Sequence, residues 1–169
     1  DFCDGIILNP GDEFSYNKAV GPRTYERGFK DATVYVAGTT EEGVGGGICQ
    51  VSSTLYYACL RGNLEITERY AHRYVPSYID WGMDATVSWG GPDYKFTNNT
   101  NYPIKIVTTY ADGYLTVKLL GTDEKDFYVK METTSGEDDV AVYARSYKCK
   151  YDKQTDELLS REIEAYSTY

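Results

Sequence analysis

The stretch Gly43-Val44-Gly45-Gly46-Gly47-Ile48-Cys49-Gln50-Val51-Ser52-Ser53-Thr54-Leu55-Tyr56 joins a run of glycines to a segment with the periodicity of an α-helix. Apolar residues recur at helical spacing, and Gly62 supplies a natural end after Arg61; they are Ile48, Val51, Leu55, Ala58 and Cys59. Cys49 lies on a more polar face beside this stripe. The sequence therefore predicts a helix that begins at a glycine-rich turn and carries Cys49 in its first turn.

A cysteine in the first turn of a helix has the surroundings of a nucleophile. The unpaired N–H groups and the helix dipole stabilise a thiolate and lower its pKa from about 8.5 into a range of about 3.5–7.5. The same N–H groups can hold the oxyanion of an acyl-transfer intermediate. The alternative is a buried structural thiol. We interpret Cys59, which belongs to the apolar stripe, in that way and Cys49 as the candidate nucleophile.

His72 is the single histidine of the chain and the candidate base for Cys49. Residues 64–70 alternate as a strand does, and Leu64, Ile66, Tyr70 and His72 share one parity. A strand that follows the helix could return the imidazole to the thiol. A surface or structural histidine is the alternative.

Charge and cysteine spacing narrow the function classes. The net charge of −9 disfavours nucleic acid and anionic lipid as partners, since both call for a basic patch. Cys3, Cys49, Cys59 and Cys149 form no C-x-x-C pair and have no close histidine, so we expect neither a metal nor a cofactor. We expect reduced thiols, with Cys3–Cys149 as the first pairing to test. The sequence lacks an apolar run of about 18 residues and an initiator methionine, and we expect a domain excised from a longer protein.

The remaining pattern favours β-structure, because eighteen tyrosines accompany many valines and threonines. Strands are predicted over residues 11–16, 32–37, 85–89, 94–97, 103–110 and 114–120, with a loop through Glu41 and Glu42. Beyond residues 121–123, we predict three antiparallel strands over 127–133, 140–151 and 158–169. The predicted fold class is α+β, mostly antiparallel sheet with one principal helix that carries the cysteine at its N-terminus. We predict a catalytic domain over 1–121 and a C-terminal β extension over 122–169.

Several strings in the first two-thirds of the chain match a known family. Beside the central stretch, they are Pro10-Gly11-Asp12-Glu13-Phe14-Ser15, Val20-Gly21-Pro22-Arg23-Thr24, Leu64-Glu65-Ile66, Asp84-Ala85-Thr86-Val87, and Asp93 followed by Lys95-Phe96. In these residues the chain resembles the VanW domain of bacterial cell-envelope proteins. It departs from the family pattern at Tyr57, where asparagine is frequent, and at residues 73–78, where a proline-rich stretch is frequent.

The resemblance implies roles for particular residues. Cys49 and His72 become the catalytic pair, and an oxyanion or substrate is expected at Gly46, Gly47, Gln50 and Ser52. Arg23 is the first choice for binding a stem-peptide carboxylate, with a structural salt bridge as the alternative. Asp84 or Tyr78 would orient His72, although Asp84 can equally cap a turn. Ser52 can equally be a helix-surface hydroxyl.

Some members of this family act as L,D-transpeptidases, and the resemblance extends that activity to this chain. We expect a Cys49 thioester on the stem tetrapeptide and 3→3 cross-links between donor and acceptor stems. The expected place is the extracellular face of the envelope, with membrane attachment only through an N-terminal anchor that is missing here. Two alternatives stay open: a cysteine peptidase or L,D-carboxypeptidase that cleaves stems, and a non-catalytic peptidoglycan-binding module that stacks Trp81, Trp89 and tyrosines on sugar rings.

Overall fold

Antiparallel strands make up most of the chain, and one long helix crosses them. The computed structural model describes residues 2–36 and 39–169. In chain order its elements are β1 (Ile7–Leu8), β2 (Glu13–Ser15), α1 (Tyr16–Val20), a 3₁₀ turn (Tyr25–Arg27), β3 (Asp31–Val36), β4 (Thr39–Val44), α2 (Ile48–Arg61), β5 (Glu65–Glu68), β6 (Lys95–Thr97), β7 (Ile104–Ala111), β8 (Tyr114–Leu120), β9 (Phe127–Glu137), β10 (Val142–Asp152) and β11 (Leu158–Thr168). The predicted α+β class with one principal helix is confirmed.

The strands pair into four antiparallel sheets with the orders β1-β7-β8, β2-β6-β5, β3-β4 and β11-β10-β9. The last of these is the predicted C-terminal set of three strands. The division of the chain into residues 1–121 and 122–169 stays a prediction.

Helix α2 begins and ends at glycines, as the sequence predicts. Gly47 precedes it with a left-handed backbone (φ 84°) and no side-chain cap, a conformation that glycine adopts without strain. At the other end, the Gly62 N–H donates to the Ala58 carbonyl at 2.9 Å. The buried face of the helix includes two serines among apolar residues: Ser52, Ser53, Leu55, Tyr56, Cys59 and Leu60. The two serines mark the part of this face that contacts polar backbone groups, those of Ala85.

Aromatic side chains fill the space between α2 and the β2-β6-β5 sheet. Phe96 of the central strand β6 is fully buried and stacks on Phe14 with a centroid distance of 5.0 Å. Tyr94 lies 5.8 Å from Phe96 on one side and makes an edge contact of 5.7 Å with Tyr56 of α2 on the other. This chain of rings fixes the height of α2 above the sheet and therefore the position of its first turn.

Two local predictions are wrong. Residues 39–44, predicted as a loop through Glu41 and Glu42, form strand β4, because the whole segment pairs with β3 from Asp31↔Val44 to Val36↔Thr39. Residues 85–89, predicted as a strand, are irregular: Ala85 bonds to serine side chains of α2, whereas the Thr86 and Ser88 N–H groups donate to the Tyr70 and Pro92 carbonyls. The predicted strand over 32–37 is present as β3, and its final residue, Ala37, lies outside the described residues.

Strand β5 ends earlier than the alternation of residues 64–72 predicts. Pairing with β6 is interrupted by a bulge between Ile66 and Glu68, and the strand stops there. Tyr70, which shares its parity with the buried Leu64, is itself 49% exposed. His72 therefore follows the strand in an irregular segment.

None of the helices in residues 2–36 and 39–169 is long and apolar enough to cross a membrane.

Removing the central ring of the aromatic core should destabilise the fold strongly. We expect Phe96→Ala to lower the free energy of unfolding by about 3–5 kcal/mol, because it deletes a fully buried ring and leaves a cavity. Urea denaturation followed by circular dichroism measures the loss. Tyr110→Ala is the matched control: that ring is 72% exposed, so its loss should cost less than about 0.5 kcal/mol. Equal losses in the two variants would contradict the described core.

Candidate active site

The irregular segment Asp84-Ala85-Thr86-Val87 is held against the first turns of α2 by two buried serines. The Ser52 hydroxyl donates to the Ala85 carbonyl at 2.6 Å, and the Ala85 N–H donates to Ser53 Oγ at 2.9 Å. Both serines are fully buried. Ser52 is thus not a helix-surface hydroxyl, and its hydrogen bond to Ala85 holds this segment in place; a role in binding the substrate or the oxyanion stays a prediction. Two residues of this segment, Thr86 and Val87, contact Cys49.

Cys49 lies within reach of four different groups. The Val87 N–H donates to the sulfur at 3.5 Å, the Val87 carbonyl lies 3.5 Å from it, and Thr86 Oγ1 lies 3.7 Å away. The imidazole of His72 also interacts with this thiol, and each of the two groups shifts the pKa of the other. The structure thus brings together the two residues that the sequence singles out, although His72 reaches the thiol from a loop and not from a strand.

Asp84 fixes the ring of His72. The imidazole Nδ1 lies 2.7 Å from Asp84 Oδ2, and the His72 backbone N–H donates to the same oxygen at 2.7 Å. Because a carboxylate can only accept, Nδ1 carries the proton and Nε2 is left for the thiol. The Tyr78 hydroxyl lies 3.3 Å from Nε2, and its ring is 39% exposed. Both residues proposed from the sequence to orient His72 therefore touch it, on opposite nitrogens.

The other oxygen of Asp84 has two donors of its own. Arg69 Nη2 lies 2.9 Å from Oδ1, and the Tyr169 hydroxyl donates to it at 2.6 Å. Arg69 also donates through Nε to the Asp84 carbonyl at 2.6 Å and through Nη1 to Ser167 Oγ at 2.8 Å. The carboxylate has no exposed surface, so these donors replace the water that it loses on folding.

The pKa values of the three residues shift in the direction of an ion pair. Burial alone raises the pKa of Cys49, but hydrogen bonds from His72, Val87 and Thr86 outweigh it and lower the pKa from its ordinary 9.0. Burial alone lowers the pKa of His72, but Asp84 and Cys49 raise it to about 9. Burial raises the pKa of Asp84, but His72, Arg69 and Tyr169 lower it to about 2. The shifts of Cys49 and His72 are both in the direction that favours a thiolate–imidazolium pair over the neutral pair.

These shifts also set a pH window for stability. The raised pKa of His72 stabilises the fold fully below its ordinary 6.5, and this contribution is lost as the pH rises through about 9. The lowered pKa of Asp84 stabilises the fold above its ordinary 3.8, and this contribution is lost as the pH falls towards about 2. Both contributions are complete between those two ordinary values.

The glycines before α2 have different tasks. A side chain on Gly46 would place its Cβ 2.5 Å from the Ala32 Cβ, so this glycine allows the loop to lie directly on β3. A Cβ on Gly47 would meet nothing within 4 Å, which leaves open space beside the helix start. The Gln50 N–H donates to the Gly47 carbonyl at 3.1 Å and is therefore committed to the helix. The N–H groups of Ile48 and Cys49 come first in the helix, which has no side-chain cap.

Arg23 lies beside the same opening. Its guanidinium donates to the Gly21 carbonyl and to Asn17 Oδ1, each at 2.7 Å, and lies 6.0 Å from the ring centroids of Tyr16 and Trp89. Its charge and that of Cys49 interact. The described carboxylates form no salt bridge with it, and Asp93 interacts with its charge at longer range.

Three residues of this site were missed by the sequence reasoning. Thr86 lies within a string that matches the VanW domain, which was the available signal. Arg69 lies three positions before His72, but nothing in its neighbours marks it as buried. Tyr169 comes from the far end of the chain, and no local pattern connects it to Asp84.

All four cysteines are free thiols in the structure, and Cys3, Cys59 and Cys149 are buried. The part of the chain that the structure describes contains no group of three side chains suited to hold a metal ion.

Comparison with known proteins shows a family match over most of the chain. The family model described as VanW like protein matches residues 2–120. The uncharacterized protein YoaR of Bacillus subtilis is 47% identical over 120 residues, which cover 71% of this chain and 40% of that protein. The vancomycin B-type resistance protein VanW of Enterococcus faecalis is 30% identical over 115 residues, which cover 64% of this chain and 42% of that protein.

These matches cover about two-fifths of the length of each curated relative. No solved structure matches the chain significantly.

The site predicts an unusual pH dependence for alkylation of Cys49. We expect the rate with iodoacetamide to reach half of its plateau at a lower pH in the native protein than in urea, because native contacts stabilise the thiolate. Peptide mapping by mass spectrometry isolates Cys49 from Cys3 and Cys59, whose pKa values are raised by burial to about 11 and about 12.

His72→Ala should move this midpoint to higher pH, since the effect of burial is then no longer opposed by the imidazole. Asp84→Asn should move it in the same direction by a smaller amount, because His72 loses the group that holds its proton. Equal midpoints in the native protein, the urea-treated protein and His72→Ala would refute the ion pair.

Proposed function

This chain belongs to the VanW-like protein family, and on that premise we propose that it is a cysteine-dependent L,D-transpeptidase of peptidoglycan. The observation that carries the proposal is the placement of three residues. Cys49 lies at the start of α2, the imidazole of His72 interacts with its thiol, and Asp84 Oδ2 lies 2.7 Å from His72 Nδ1. A nucleophile, a base and a group that orients the base are the elements of covalent acyl transfer. The class of substrate rests on the family resemblance.

Acylation would begin from the thiolate–imidazolium pair. Cys49 Sγ attacks the carbonyl carbon of the third residue of a stem tetrapeptide, and a tetrahedral oxyanion forms. As the bond to the terminal D-Ala breaks, His72 Nε2 gives its proton to the leaving amine. The products of this step are free D-Ala and a thioester between Cys49 and the shortened stem, with His72 neutral.

Deacylation would reverse the proton movement. The side-chain amine of a diamino acid on a second stem attacks the thioester carbon and gives its proton to His72. The carbon–sulfur bond breaks, an amide joins the two stems, and the thiolate–imidazolium pair is restored. Water in place of the amine would produce a free carboxylate, which is the outcome of an L,D-carboxypeptidase.

The oxyanion is best served by the first N–H groups of α2. The Ile48 and Cys49 N–H groups are the first of α2, whose N-terminus has no side-chain cap. Gly47, which has no side chain, leaves space beside them. The Gln50 N–H, bonded to Gly47, is less suitable. A single donor of this kind typically contributes about 10²–10³ in rate.

Arg23 and Trp89 offer a place for the donor peptide. The guanidinium is held in position by Gly21 and Asn17, and its charge interacts with that of Cys49. A carboxylate of the stem peptide would find a fixed cation there. Trp89 is 56% exposed, and the centroid of its ring lies 6.0 Å from the guanidinium of Arg23.

The proposed place of action is the extracellular face of the cell envelope, where stem peptides of both donor and acceptor strands are found. Membrane attachment would belong to a segment outside this chain, as the resemblance implies.

Mass spectrometry with a disaccharide-tetrapeptide tests this function directly. We expect the intact protein to gain the mass of the substrate without its terminal D-Ala, and 3→3 dimers to accumulate. Cys49→Ala should form neither, a loss on the order of 10³ or more in rate, because the nucleophile is absent. Cys59→Ala is the matched control: it removes a buried thiol of the same helix and should retain both products.

Two outcomes would overturn the transpeptidase. Clipped stems without dimers would identify a carboxypeptidase or endopeptidase that uses the same thiol. Equal substrate binding by parent and Cys49→Ala, with no adduct and no product, would identify a peptidoglycan-binding module.

A further inference from the structure

Tyr169 connects the C-terminal sheet β11-β10-β9 to the carboxylate of Asp84. Its backbone N–H donates to the Val142 carbonyl at 2.8 Å, which extends the pairing of β11 with β10 by one residue. Its hydroxyl accepts the Gly82 N–H at 2.7 Å and donates to Asp84 Oδ1 at 2.6 Å. The two bonds fix the direction of the hydroxyl proton, because an N–H can only donate and a carboxylate can only accept.

This contact comes from outside the region that the family model matches. The match ends at residue 120, whereas Tyr169 and Ser167 lie at the end of β11. Ser167 accepts a hydrogen bond from Arg69, the other donor to Asp84 Oδ1. The end of β11 therefore supplies one donor to Asp84 Oδ1, Tyr169, and contacts the other donor, Arg69, through Ser167.

The donors on Oδ1 compete with His72 for the charge of Asp84. Each hydrogen bond to Oδ1 draws negative charge away from Oδ2, the oxygen that stabilises the imidazolium. This matters most once Cys49 is acylated, because the thiolate charge is then gone and Asp84 alone supports the proton on His72. A base that is too strong would hold the proton it must exchange with amines.

We propose that Tyr169 is a positioning residue that limits the basicity of His72 by sharing the charge of Asp84. The catalytic meaning of this inference rests on the proposed function, whereas its test needs no substrate.

Other charged and titratable groups face this site and remain constant in the test. Arg69 contacts Asp84 and lies 5.4 Å from the ring centroid of Tyr56. Tyr78 contacts His72, and Cys49 lies on its Nε2 side. Glu164 of β11 interacts electrostatically with Tyr56, the ring on which Arg69 lies.

The experiment is a proton NMR titration of His72 after Cys49 has been alkylated with iodoacetamide. Alkylation imitates the uncharged thioester, and the single histidine of the chain gives one imidazole signal to follow. We expect Tyr169→Phe to raise the titration midpoint by a few tenths of a pH unit to about one unit. Tyr166→Phe is the matched control, since this ring of the same strand is 65% exposed and should leave the midpoint unchanged.

Ser167→Ala separates charge sharing from a general loosening of the strand end. It removes the acceptor of Arg69 Nη1 and a neighbour of the Tyr169 hydroxyl but keeps both donors on Asp84 Oδ1, so the melting temperature should fall while the midpoint stays. If Tyr169→Phe fails to fold, 3-fluorotyrosine placed at position 169 alone keeps the hydroxyl and makes it a stronger donor. The midpoint should then fall.

The inference is overturned if Tyr169→Phe leaves the midpoint at the parent value or lowers it, or if Ser167→Ala raises it equally. An unchanged midpoint with 3-fluorotyrosine also overturns it. Loss of transpeptidase activity in any variant has no bearing on these readings, so the two proposals fail separately.

Discussion

The burial of the Asp84 carboxylate is the constraint on which the arrangement of the site depends. An ionised carboxylate without exposed surface is stable only if hydrogen-bond donors replace its water. Those donors come from distant parts of the chain: Arg69, the backbone and ring of His72, and Tyr169. Satisfying one charge thus brings a loop after β5, an irregular segment and the end of β11 to the same point.

The irregular backbone around residues 84–87 allows this segment to contact Cys49. A regular strand would commit its N–H and C=O groups to a neighbour, whereas here Val87 N–H is free to meet the Cys49 sulfur. Ser52 and Ser53 supply the hydrogen bonds that a neighbouring strand would otherwise give to Ala85. The segment is therefore fixed in position without being part of a sheet, which suits a wall of an active site.

The sequence predicts those features of the site that depend on local chemistry. The start of α2, the polar position of Cys49 and the buried position of Cys59 follow from glycine conformation and helical spacing. Strand β4 was missed because glutamate and glycine are poor strand formers, and only pairing with β3 makes the segment extended. Asp84 and Tyr78 were not separated as partners of His72, and Arg69 and Tyr169 were not found. These contacts join residues far apart in the chain and depend on burial that local patterns do not encode.

The absence of a side chain at Gly46 lets the loop before α2 pack directly on strand β3. The backbone of residue 46 lies so close to Ala32 that no layer of side chains separates the hairpin from the loop before α2. A movement of β3 would therefore also move the loop before α2, because the two segments are in direct contact. Because Cys49 lies in the first turn of α2, the position of its sulfur depends on strand β3 as well as on the groups that touch the thiol.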